Sequence, residues 1–226
     1  MKFISILSAL ILTLSSFAET SLQDRLNERK EKANKKRSVE VTKVMDEALK
    51  HLKDSGIVEE SVKKGTKVPS FKIGGKDISE YYKDGNIIVS FYRGSWCPYC
   101  MIQLKEYQKY YEEIQNKGAK LIVLAPDTKK EIAKTKRNHK LNFPIYSDVD
   151  NKIAKKFGLA FKLEESLKAV YSKFGIDIEK NQGNDKFELP LPGTYIINKE
   201  GQIIYAFADA DYTKRADPKD LLQYLK

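Results

Sequence analysis

The chain has 226 residues, which is enough for one ordinary domain with an extension and too few for two large ones. Its 41 basic residues against 31 acidic ones give a net charge of +10, but the charges are interspersed, and there is no zinc finger, glycine-rich RNA motif or basic stripe interleaved with aromatics. Nucleic acid is therefore not an expected partner, and a solvated basic surface, loosely attracted to anionic envelopes, accounts for the excess.

In chain order, residues 1–18 combine Lys2, an apolar stretch from Phe3 to Leu14 and small residues ending at Ala18. This pattern predicts a signal peptide cleaved after Ala18, because the apolar stretch is too short to span a bilayer. The expected location is periplasmic or secreted, with no stable membrane insertion after cleavage. No cysteine follows the cleavage point, which excludes lipid attachment there.

Residues 19–62 read as an N-terminal helical extension. Its first part, 21–37, is so charged that a solvated helix or partial disorder is expected. In 38–55, Val41, Val44, Met45, Ala48, Leu49 and Leu52 recur at helical spacing before Gly56. His51 falls in this helix and reads as a surface residue.

Residues 63–226 read as the main domain. Gly74 and Gly75 mark a turn, 86–92 is an apolar strand, and 98–116 has helical periodicity ended by Gly118. A second buried strand is predicted at 119–125, a lysine-faced helix including His139 at 128–139, a short strand at 143–146 and a short helix at 150–157. Residues 159–189 read as an insertion over the core that lines the mouth of the site. A hairpin follows around Asn198 to Gly201, and Asp217-Pro218 starts the last helix with a cap and a proline at the first helical position. Parallel strands first and an antiparallel pair last give an α/β fold.

The only two cysteines, Cys97 and Cys100, stand two residues apart at the junction between the first long strand and its helix. A helix N-terminus stabilises a thiolate through its free N–H groups and partial positive charge, and Arg93 adds a full charge nearby. Two thiols in one turn can also close a disulfide, so that one resolves a covalent bond formed at the other. Zinc would need further soft ligands, and only His51 and His139 are on offer, both in lysine-rich helices. A purely structural disulfide across so short a loop would constrain the unfolded chain very little. Reversible redox chemistry is the expectation, with no metal and no cofactor.

The element order, the segment from Phe91 to Cys100 (Phe-Tyr-Arg-Gly-Ser-Trp-Cys-Pro-Tyr-Cys), Pro192-Gly193-Thr194-Tyr195 before the hairpin, and the tail from Asp211 to Pro218 resemble the peroxiredoxin-like branch of the alkyl hydroperoxide reductase and thiol-specific antioxidant family. The resemblance implies a thioredoxin-like fold, a central mixed β-sheet flanked by helices. It leaves two chemistries open. In the thioredoxin-like one, Cys97 is the more exposed nucleophile toward a substrate disulfide and Cys100 resolves, Pro192 in a cis peptide packs opposite Cys97, Trp96 shields the pair, and the Pro98-Tyr99 dipeptide starts the helix as in glutaredoxins. In the peroxidase one, Cys100 takes the place of the peroxide-attacking cysteine, Cys97 that of a threonine and Arg93 that of a proline. The family's usual arginine is replaced by Pro192, and Arg93 and Arg215 are the candidates to substitute for it. The implied partners are disulfides, thiols or peroxides together with a reducing thiol donor; a copper-handling role for the two thiolates is a third option. The sequence favours the dithiol exchanger as the main reading and the peroxidase as the alternative.

Overall fold

A computed structural model describes residues 20–225 of the chain, so the expected leader at 1–18 lies outside the described residues. Two capped helices come first. Ser21 accepts a hydrogen bond from the Asp24 N–H and starts α1 (Leu22–Asn34), and Ser38 accepts from the Val41 N–H and starts α2 (Val39–Asp54), as serine does at N-caps. A short α3 (Ile57–Glu60), the tiny hairpin β1 (Lys72–Ile73) and β2 (Lys76–Asp77), and α4 (Ser79–Tyr82) lead to the main sheet.

Then come β3 (Ile87–Phe91), α5 (Pro98–Asn116), β4 (Lys120–Ala125), α6 (Lys129–His139), β5 (Ile145–Ser147) and, after one 3-10 turn, α7 (Lys152–Lys156). The insertion folds as β6 (Ala160–Lys162), α8 (Glu165–Lys173), α9 (Ile178–Gln182) and β7 (Glu188–Pro190). The chain closes with β8 (Gly193–Ile197), β9 (Ile203–Ala208) and α10 (Pro218–Leu221). The central sheet has the order β5-β4-β3-β8-β9, with β3, β4 and β5 parallel and β8 and β9 antiparallel to their neighbours. This is the expected mixed sheet flanked by helices.

The central strand β3 is buried on both faces, and its alternation divides the core. Ile88 and Tyr92 point to a cluster shared with α1, α5 and α10, whereas Ile87, Val89 and Phe91 point to a second cluster with Phe71, Phe157 and Tyr195. Strand β3 ends directly at the cysteine segment, so the site sits at the carboxyl edge of the most constrained strand.

The structure corrects the expectation for 21–37. Despite its charge this segment is neither solvated all round nor disordered: Leu22, Leu26 and Ala33 are buried, and the two leucines join the cluster that contains Cys97, Cys100 and Leu104. The charges pair across the interface, Arg25 with the buried Glu106 of α5 and Lys30 with Asp211 at 3.2 Å. The apolar stripe is only three residues wide, which hides it in a composition dominated by Lys, Arg and Glu. Leu26→Ala should therefore lower unfolding stability by about 2–5 kcal/mol, as a core truncation does. Urea denaturation checks this, and a change within about 0.5 kcal/mol would indicate a surface helix.

Candidate active site

Cys97 forms the N-cap of α5: its Sγ accepts from the Cys100 N–H at 3.4 Å, and Pro98 occupies the first helical position, where a missing N–H costs nothing. The loop before it depends on Gly94, whose φ is +151° and whose absent Cβ would lie 2.3 Å from the Trp96 indole nitrogen. The loop is further held by Asp127, just past the carboxyl end of β4, which accepts from the Ser95 N–H at 2.9 Å.

Both cysteines are free thiols and both are buried, Cys97 at 1% and Cys100 at 0% exposure. The expectation that Cys97 is the exposed member therefore does not hold; the Trp96, Tyr99 and Tyr171 side chains line the space over it. The two thiols are also electrostatically unequal. Burial pushes the Cys97 thiol well above its ordinary range, and the neighbouring Cys100 pushes it further, against the two arginines. At Cys100 burial is overcome by the hydrogen bond from Cys97, the Arg215 charge, the Arg93 backbone N–H and the Arg93 charge, which together bring it down to about 5. The surroundings thus favour the thiolate form at Cys100 and the thiol form at Cys97.

The dominant cation is Arg215. Its Nη2 lies 3.3 Å from Cys100 Sγ and 4.0 Å from Cys97 Sγ, and its Nη1 donates to the Lys214 carbonyl at 2.7 Å. The segment that aims it is tied down by Asp211. This carboxylate accepts from the Thr213 N–H at 3.0 Å and Oγ1 at 2.7 Å and pairs with Lys30 of α1; despite burial these contacts hold its pKa below the usual value. Of the two candidate arginines, Arg215 thus reaches the sulfurs with its side chain. Arg93 contributes its backbone N–H and its charge, while its guanidinium donates to Tyr171 Oη and lies over Tyr212 at 4.6 Å and Trp96 at 5.3 Å.

The cis peptide that the thioredoxin-like reading expects at Pro192 is not found. Among the described residues no peptide bond is cis, and Pro192 lines a different cavity from the one that Cys97 lines. The Leu191 N–H is bonded to the Leu159 carbonyl and β8 begins at Gly193, so Pro192 is a connector that needs no ladder hydrogen bond. Trp96 and Tyr99 do flank the pair, each in edge contact with a partner from elsewhere, Tyr171 and Tyr212. The insertion reaches the site as expected, through Tyr171, Phe174 and Ile176.

Three contributors were not legible in the sequence. Arg29 of α1 lies over the Tyr99 ring at 5.9 Å, Met45 of α2 lines the Cys97 cavity, and Asp127 is a fully buried carboxyl. Burial, with the Cys100 charge, pushes Asp127 up to about 7 against the Ser95 hydrogen bond. Only Asp127 left a trace, as a lone acid at the end of a strand in an α/β pattern. His51 pairs with Glu164 at 3.0 Å and His139 ends α6, so neither joins the cysteines. Among the described residues no three His, Cys, Asp or Glu side chains converge, and no helix is long and apolar enough to cross a membrane.

Residues 64–206 match the sequence profile described as the AhpC/TSA family. Among curated proteins, the chain is similar to peroxiredoxin Q, chloroplastic, of Oryza sativa subsp. japonica, with 27% identity over 155 residues, covering 67% of this chain and 61% of that protein. It thus spans about three fifths of the length of that relative. Among solved structures it resembles the peroxidoxin BcpB of Mycobacterium tuberculosis, with a TM-score of 0.57 at 18% identity over 73% of this chain and 96% of that one. A peroxiredoxin-like protein of Aquifex aeolicus gives 0.56 at 15% identity over 73% and 86%. At these identities the structural likeness establishes the thioredoxin-like fold seen here. With more than half its length matched to the family profile and the cysteine segment at the carboxyl end of the central strand, the chain belongs to the AhpC/TSA family.

Proposed function

We propose that this protein is a thiol peroxidase in which Cys100 attacks the peroxide and Cys97 resolves. The observation that carries this reading is the fully buried Cys100 sulfur 3.3 Å from the Arg215 guanidinium, an environment that lowers its pKa. The family match and the similarity to peroxiredoxin Q support it over the dithiol exchanger, whose premises were an exposed Cys97 and a proline packed opposite it. Export to the periplasm or beyond is part of the proposal and rests on the leader pattern in residues 1–18.

In the first step the Cys100 thiolate attacks one peroxide oxygen. The S–O bond forms as the O–O bond breaks, sulfur is oxidised to a sulfenic acid, and the leaving oxygen departs as an alcohol or water after taking a proton. Arg215 stabilises the charge that moves from sulfur to that oxygen, having been positioned before the reaction by Asp211 and Lys30. The Cys97 S–H donates to the Cys100 sulfur beforehand, which favours the thiolate there. Once Cys100 is a neutral sulfenic acid, the Cys97 sulfur attacks it; an S–S bond forms and the S–OH oxygen leaves as water with the Cys97 proton. An external dithiol then restores both thiols.

Cys100→Ser should abolish peroxide consumption. Cys97→Ser should still form a sulfenic acid, trapped by dimedone and seen by mass spectrometry, but lose turnover with a dithiol donor. Dimedone adducts confined to Cys97, or full peroxidase activity in Cys100→Ser, would overturn the assignment.

A second expectation concerns pH. Because the Cys100 pKa is lowered, the reactive form persists at neutral pH and is lost as the pH falls through about 5. Arg215→Gln removes the nearest cation, so the thiolate absorbance titration should move its midpoint upward by roughly one pH unit or more, with the pH–rate profile moving the same way. An unmoved midpoint would separate Arg215 from the thiolate.

A further inference from the structure

Beside the Cys97 cavity lies a second one of about 240 Å³, between α2 and the insertion. Its walls include Met45, Leu49 and Leu52 of α2 and Phe161, Leu163 and Leu167 of the insertion. The two cavities share Met45, Arg93, Tyr171 and Tyr212, and the shared residues carry the only buried charge in this lining.

Arg93 is 3% exposed. A guanidinium withdrawn from water needs charge-matched partners to offset several kcal/mol of lost hydration. Here Nη2 donates to a neutral phenol, Tyr171, and Nε has no hydrogen-bond partner. The acids on the nearby tail are engaged elsewhere, Asp209 with Lys214 at 3.6 Å and Asp211 with Lys30 at 3.2 Å. The faces of Tyr212, Trp96 and Tyr171 give cation–π contacts, which recover part of the loss. The Cys100 thiolate acts on Arg93 electrostatically without touching its side chain. A desolvated cation with an open donor at the end of an apolar chamber is the arrangement that recognises an anionic head on an apolar tail.

We infer that this second cavity binds a medium-chain monocarboxylate, the carboxylate at Arg93 and the alkyl chain between α2 and the insertion. The volume fits such a ligand: it is larger by about half than an apolar cavity that accommodates benzene, and it falls short of the usual range for drug-sized ligands. The lining also includes the exposed His51 and Lys162 and the half-buried Glu164, whose carboxylate pairs with His51 at 3.0 Å. The inference is independent of which cysteine reacts, since it concerns occupancy of a chamber that contains neither sulfur.

The test is calorimetric titration of the reduced protein with octanoate and, separately, octan-1-ol. Octanoate should bind saturably and at least about tenfold more tightly than the alcohol, because only it can pair with the guanidinium. Leu167→Trp, which fills the chamber and leaves Arg93 and both cysteines in place, should abolish octanoate binding while the circular dichroism spectrum and peroxide consumption stay unchanged. Equal affinity for acid and alcohol would overturn the role of Arg93. Absence of saturable octanoate binding to the wild-type protein, or its survival in a folded Leu167→Trp, would overturn the site itself. Because these readouts are binding constants, their failure is distinct from a failure of the peroxidase reading.

Discussion

The contact between the Arg215 guanidinium and the Cys100 sulfur, inside a site from which water is almost excluded, is the interaction on which the rest of the site depends. A buried thiol left alone stays protonated and unreactive, and burial is the largest of the causes that raise Cys97. Cys100 escapes this because a cation, two N–H or S–H donors and the start of α5 converge on it. Of those groups only the cation, Arg215, is remote from it in sequence. The tail that delivers Arg215 is fixed by Asp211, and Asp211 is fixed in part by Lys30 from the other end of the described chain.

That dependence gives the N-terminal helices a purpose their composition conceals. The α1 helix seats Leu22 and Leu26 in the cluster that surrounds the cysteines and sets Arg29 over Tyr99. The α2 helix closes one wall of both cavities through Met45. The insertion supplies the opposite wall, with Tyr171 as the hinge point between the thiol chamber and the apolar one. The cysteine pair is thus enclosed by segments from before, within and after the sheet, which sets the size and polarity of what can reach it.

The legible part of the fold was the part governed by local rules. The run from Ile87 to Phe91, the capped and proline-led start of α5, the Gly118 stop and the Asp217-Pro218 start of the last helix each carry their signal within a few residues, and the structure puts the elements there. The α1 helix was misread because three buried side chains among many charges leave a weak periodic signal. The peptide form of Pro192 was misread because a proline before a strand looks alike in sequence whether its peptide is cis or trans. The exposure of Cys97 was misjudged for a related reason: spacing says that the two thiols can share a disulfide, but not which side chains pack over them.

Most of the helices and strands of the main domain, the succession of parallel strands and a closing antiparallel pair, and the placement of two thiols in one helical turn were legible from the residues alone, because these follow from short-range periodicity, capping and covalent spacing. Which sulfur Arg215 approaches more closely and which residues close the chamber emerged with the packed fold alone. Those outcomes depend on distances of 3 to 4 Å between side chains such as Arg215 and Cys100, more than a hundred residues apart along the chain, and on the desolvation that packing imposes.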